Sequence, residues 1–107
     1  MKKIYLFCSA GMSTSLLAND MQKKADEHNL PVEVKAFSIS SLQEIYEKEH
    51  PDCILLGPQV RFLYEETKKT YNKLNTPVGL IDAKDYGNIN GANVLKQASK
   101  LIKEASR

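Results

Sequence analysis

The chain has 107 residues, 42% of them apolar and 26% charged, and 15 basic against 13 acidic side chains leave a formal charge of +2. That length suits a single domain, read as spanning 1–107, with a core that needs no staples. The charges are interleaved and their bias is too weak to predict a nucleic-acid surface, so none is expected, and no segment approaches the roughly 20 apolar residues of a membrane span.

The opening "MKKIYLFCSAG" carries an apolar run too short for a signal peptide. A cytoplasmic chain with reduced thiols is expected, without direct membrane insertion; any membrane role comes through a partner. Cys8 and Cys53 form no C-x-x-C pair, and with His28 and His50 they give no metal-ligand spacing. Neither a metal nor a cofactor is expected.

"KIYLF", Lys3 to Phe7, is a short buried-strand pattern. From Ser13 to His28, Leu17, Met21 and Ala25 recur at helix spacing, with Leu16 beside them. Pro31 to Phe37 alternates in steps of two and predicts a second strand. Ser41-Leu42-Gln43-Glu44 has the form of a capping box opening a helix that runs to about Lys48. Asp52 to Leu56 predicts a third strand, ended by Gly57-Pro58. Val60, Leu63, Tyr64, Thr67 and Tyr71 mark one face of a third helix, and Pro77 to Ile81 a fourth strand. "DAKDYGNIN" reads as a polar loop. The last helix has Val94, Leu95, Ala98, Leu101, Ile102 and Ala105 on its apolar face.

The order βαβαβαβα predicts an α/β three-layer sandwich, a four-stranded parallel sheet with helices on both faces. In such folds working groups gather outside the carboxyl ends of the strands, at a switch in strand order. Four loops are expected there: Cys8–Ser15, Ser38–Ser41, Gly57–Gln59 and Asp82–Asn90.

Cys8 ends the first predicted strand just before the first helix. A helix N-terminus offers unpaired N–H groups and partial positive charge, which favour a thiolate or a phosphate on its sulfur. Ser9, Ala10, Gly11, Met12 and Ser13 supply successive N–H groups, and Ser13, Thr14 and Ser15 add hydroxyls. The bland alternative is a cysteine serving as a small core residue. The full loop of donors at the expected working edge favours a nucleophile in a phosphate cradle. Cys53, at the start of its strand and the opposite edge, is expected to be inert.

Cysteine phosphatases carry Cys, five residues, Arg, then Ser or Thr. Here Thr14 stands where the arginine would be and Ser15 follows. Without that guanidinium the cradle grips phosphate less tightly and suits a group that leaves to another acceptor.

"YLFCSAGMSTSLL", "ILLGPQV" and "VGLIDAKDYGNINGANVL" together resemble the IIB component of the bacterial sugar phosphotransferase system, of the lactose/cellobiose/chitobiose type. The resemblance runs over essentially the whole chain. It implies a small cytoplasmic phosphocarrier with a four-stranded parallel sheet. It implies that Cys8 accepts a phosphoryl group from a phosphohistidine of a IIA partner. Cys8 then yields it to a sugar imported by the membrane-embedded IIC partner, with Ser9 to Ser15 as the phosphate loop. The implied fold is shared with flavodoxin-like and phosphatase-like chains. Both transfers need a reachable sulfur, so an exposed edge around Cys8 is expected. The chain is expected to be a monomer.

Other residues carry two readings each. Gly57, Pro58 and Gln59 form either a plain strand-to-helix turn or a rim on which Gln59 meets the phosphate or a partner. For Asp82 a structural bond to a backbone N–H is favoured over a role at the phosphate. Tyr86 either covers the cradle or meets a partner, or simply packs. Arg61, Lys68 and Lys69 read as solvated helix surface, and His28 and His50 are assigned no part in transfer. The rival functions are a low-molecular-weight-type cysteine phosphatase and a non-enzymatic anion-binding regulatory or flavodoxin-like cofactor-binding domain. A thiol redox protein is disfavoured because no resolving cysteine lies nearby in sequence.

Overall fold

Central strands of a parallel sheet are covered on both faces, so they need unbroken apolar runs rather than alternation. The computed structural model, which describes residues 1–9 and 12–105, has this arrangement. Strand β1 (Lys2–Cys8) is followed by helix α1 (Met12–Glu27), β2 (Val32–Ser38), a 3-10 turn (Ile39–Ser41) and α2 (Leu42–Glu49). Then come β3 (Cys53–Leu56), a second 3-10 segment (Pro58–Leu63), α3 (Tyr64–Asn72), β4 (Val78–Leu80), α4 (Ala83–Gly87) and α5 (Gly91–Ala105). The four strands are parallel in the order β2-β1-β3-β4. The expected α/β sandwich is therefore present, and the order reverses between β1 and β3.

Alternate strand residues feed two separate cores. Ile4, Leu6 and Leu55 pack with Leu17 and Met21 of α1 and Val94 and Ala98 of α5. Tyr5, Phe7, Ile54 and Leu56 pack on the other face with Leu42 of α2 and with Val60 and Tyr71. Each such aliphatic or aromatic side chain contributes roughly 1.5–3 kcal/mol on full burial. The predicted face of α1 is met, with Leu17, Met21 and Ala25 fully buried, while Leu16 is half exposed.

The first and last helices approach closely. Gly91 opens α5 by donating its N–H to Asp20 Oδ2 at 2.8 Å, and a Cβ there would come within 2.7 Å of the Met21 nitrogen. This contact anchors the segment that carries α4.

Several local expectations are corrected. The polar loop after β4 contains α4, whose N-cap Asp82 accepts the Lys84 N–H at 2.8 Å. A five-residue helix burying only Tyr86 is too short to display apolar periodicity. The capping box does not form: the Ser41 side chain makes no cap bond, and its φ of −96° and ψ of 1° continue the preceding 3-10 turn instead of entering from extended backbone. That turn is capped instead by Ser38, whose Oγ accepts the Ser40 N–H at 3.4 Å. The third helix is split: Val60, at φ −115° and ψ 25°, interrupts the 3-10 segment that Pro58 starts. On the last helix Leu101 and Ile102 are half-buried and Ala105 is exposed, because the final turn runs past the sheet.

Candidate active site

The reversal in strand order opens a crevice between the carboxyl ends of β1 and β3. Cys8 is the last residue of β1, and Gly57 follows the last residue of β3. The Gly57 N–H donates to the Phe7 carbonyl at 2.9 Å, which extends the β1–β3 pairing one step and brings the two loops together. Following Ile4 and Leu6, the Cys8 side chain projects to the α1 and α5 side of the sheet.

The surroundings of the sulfur are polar. Cys8 Sγ donates to Gln59 Oε1 at 3.0 Å, and the Tyr86 hydroxyl lies 3.9 Å and the Ser9 hydroxyl 4.0 Å away. The Tyr86 hydroxyl also bonds the Thr14 hydroxyl at 2.9 Å, joining α4 to the first turn of α1. Both Tyr86 and Thr14 are buried. Thus groups from the end of β1, the Gly-Pro-Gln turn and α4 meet at one sulfur, and Tyr86 links them to the first turn of α1. The expectation of an open sulfur is not met, because Cys8 is only 1% exposed. Gln59 and Tyr86 lie over it, but Gln59 is itself exposed and on the molecule's outer surface.

Gly57 proves to be more than a turn former. Its φ of −68° and ψ of 156° are ordinary for any residue. The constraint is space: a Cβ would stand 2.9 Å from Cys8 Sγ and 3.1 Å from Gln59 Oε1. Glycine is required so that the sulfur and the glutamine amide can share that corner. A Gly-Pro pair after a strand announces the turn, but nothing in the linear sequence points to this contact.

The remaining loop residues separate. Ser9 is exposed beside the sulfur. Ala10 and Gly11 lie outside the described residues. Met12 and Ser13 open α1, and that helix has no acidic residue in its first turn to oppose a bound anion. Ser15 is exposed along a cleft between α1 and β2 with Ala18, Val34 and Phe37, so its side chain is not brought to the sulfur. Ser38 to Ser41 stay at the same edge, where the Ser38 and Ser40 hydroxyls bond each other at 2.9 Å.

Asp82 is exposed and occupied as a cap, in the structural role favoured for it. Arg61 is exposed on the 3-10 segment, and Lys68 lies 5.5 Å from the centre of the Tyr64 ring. His28 and His50 are exposed beyond the ends of α1 and α2, which lead to the opposite edge of the sheet. Cys53 is fully buried in the core, and burial, assisted by the nearby Asp52 charge, pushes its thiol up to about 12. Neither cysteine is in a disulfide. Among the described residues, no cluster of three or more His, Cys, Asp or Glu side chains could hold a metal ion, and no helix is long and apolar enough to cross a membrane.

Comparison with known proteins agrees with this architecture. The galactose-specific EIIB component of the PTS system of Lactococcus lactis subsp. cremoris (strain MG1363) is 39% identical over 104 residues, covering 94% of this chain and 96% of that protein. The cellobiose-specific EIIB component of L. lactis subsp. lactis (strain IL1403) is 38% identical with the same coverage. The solution structure of a cellobiose-specific phosphotransferase IIB component from Borrelia burgdorferi superposes with a TM-score of 0.78 at 32% identity, covering 97% of this chain and 94% of that one. The family described as PTS system, Lactose/Cellobiose specific IIB subunit matches residues 3–97. The chain belongs to this lactose/cellobiose-specific IIB family of the sugar phosphotransferase system.

Proposed function

We propose that this chain is a single-domain, monomeric phosphocarrier in which Cys8 holds a phosphoryl group in transit. The donor is a phosphohistidine on a IIA partner. The final acceptor is a hydroxyl of a β-linked disaccharide of the cellobiose, chitobiose or lactose class, held by a membrane-embedded IIC partner on its cytoplasmic side. In the first step sulfur attacks phosphorus in line. The S–P bond forms as the N–P bond breaks, and the thiol proton ends on the imidazole nitrogen released. In the second step a sugar oxygen attacks phosphorus, the S–P bond breaks, and the sugar's hydroxyl proton restores the thiol.

One observation carries this reading: Cys8 Sγ is buried among an amide and two hydroxyls at the strand-order switch, rather than in hydrocarbon. Phosphoryl transfer needs positioning and charge stabilisation more than covalent chemistry from the protein. The amide end of α1 supplies part of that stabilisation through its unpaired N–H groups and dipole. The Tyr86–Thr14 hydroxyl pair is a second source of donors. The partners supply the remainder, since Thr14 stands where a phosphatase would have a guanidinium. The phosphoryl group is therefore held weakly enough to leave.

The test is phosphorylation of the purified chain with phosphoenolpyruvate, the general phosphotransferase proteins and a panel of IIA partners, followed by mass spectrometry. A gain of one phosphoryl group on Cys8, absent in Cys8→Ser, is expected. Label retained at full level in that variant rules out the assignment. Steady release of inorganic phosphate from an aryl phosphate would favour the phosphatase instead.

A further inference from the structure

The thiol of Cys8 is a donor in this structure, and the atom it meets is the carbonyl oxygen of Gln59, 3.0 Å away. That bond is the one side-chain hydrogen bond of Gln59 among the described residues, and the residue is exposed. Among the described residues nothing else bonds the amide, so its nitrogen has no contact that rivals the one at Oε1. When a phosphoryl group replaces the thiol proton, no hydrogen is left between sulfur and Oε1. The amide oxygen would then face a sulfur lone pair and phosphoryl oxygens, all of them acceptors. A half-turn about the last side-chain bond replaces Oε1 with Nε2. That torsion is broad and roughly two-fold, so the turn meets little resistance.

We propose that Gln59 is a positioning residue whose amide reverses with the state of Cys8: its carbonyl accepts the thiol proton in the unloaded protein, and its NH2 group donates to the phosphoryl group in the loaded one. The inference rests on phosphorylation of Cys8. Two features of the site favour it. Gly57 leaves the corner open, since a Cβ there would crowd both Cys8 Sγ and Gln59 Oε1, so sulfur and amide stay in contact throughout. Gln59 also sits between Pro58, whose own φ is fixed, and the buried Val60, so its backbone is flanked by two anchored residues while its side chain is exposed. As a consequence the state of the buried sulfur is coupled to the amide orientation of an exposed residue.

The experiment uses the full chain, labelled with nitrogen-15, loaded through the phosphoenolpyruvate relay and checked by mass for one phosphoryl group. The side-chain amide pair of Gln59, assigned through its own backbone, is followed by NMR in the thiol and loaded forms. On loading, one amide proton is expected to move downfield and exchange more slowly with water, while the side-chain amides of Gln22 and Gln43 stay unchanged. In parallel, Gln59→Glu presents acceptors only. Its equilibrium with the phosphorylated donor is expected to shift towards the donor on the order of tenfold or more, the loss of one charge-assisted hydrogen bond. Gln59→Leu should shift it less, because it removes the donor without adding charge. A loaded protein whose Gln59 amide resonances do not move overturns the reversal, as does Gln59→Glu loading like the parent. Absence of any phosphoryl group on Cys8 overturns both this inference and the function on which it rests.

Discussion

Gly57→Ala isolates the geometry of the sulfur from the stability of the fold. The added Cβ would lie 2.9 Å from Cys8 Sγ, 3.1 Å from Gln59 Oε1 and 3.2 Å from Cys8 Cβ. Comfortable contacts are about 3.5–4.0 Å, so the neighbours must retreat by roughly 0.5–1 Å. The backbone at φ −68° and ψ 156° suits alanine, which by itself stabilises by about 0.4–1 kcal/mol through the unfolded chain. Overpacking costs about 1–3 kcal/mol, so the net destabilisation is roughly 0–3 kcal/mol, less than the total stability of a typical domain. Function should fall further than stability, because displacing a reacting atom by about 1 Å costs on the order of 100-fold in rate. Urea unfolding and the rate of phosphoryl transfer from the IIA partner are measured on the same preparation. Gly87→Ala is the control: no described atom lies within 4 Å of its new Cβ, so it should transfer phosphate at the parental rate and gain only the same about 0.4–1 kcal/mol through the unfolded chain. A folded Gly57→Ala protein that transfers phosphate at the parental rate would refute the spatial argument.

Tyr86→Phe keeps the buried ring but deprives the Thr14 hydroxyl of its partner 2.9 Å away. Thermal unfolding should register a loss of about 1–3 kcal/mol, and phosphoryl transfer should slow even though the fold persists. Cys53, fully buried and with its thiol pushed up to about 12, should resist iodoacetamide at pH 8 in the native protein and should react fully in denaturant. The Lys3 hydrogen bond and then the Lys3 charge hold the Glu49 carboxyl below its ordinary value. The stability this pair adds is complete above the unfolded carboxyl's pKa and is lost as the pH falls through the lower folded-state value. Denaturation curves of Lys3→Met should therefore be less sensitive to pH in that acidic range than the parent's.

The extent to which the sequence foretold the molecule differs from one element to the next. Strand β3 reads correctly because an unbroken Cys53–Leu56 run is what a strand buried on both faces demands. Helix α1 reads correctly because Leu17, Met21 and Ala25 repeat at the spacing of one helical face. The Asp82–Asn90 segment does not, since a cap and a single buried tyrosine leave too few residues for a period to emerge. Likewise Ser41 and Glu44 satisfy a capping pattern that the preceding 3-10 turn pre-empts.

The cysteine itself, its small-residue loop and the edge on which it had to lie follow from residue order alone, because hydrophobic period and the handedness of βαβ units act along the chain. What surrounds the sulfur was decided only on folding. Gln59 and Tyr86 are 51 and 78 residues from Cys8, and Gly57 matters through a gap that opens only when β1 and β3 pair. Such contacts depend on register and packing in three dimensions, where side chains remote in sequence compete for the same few ångströms.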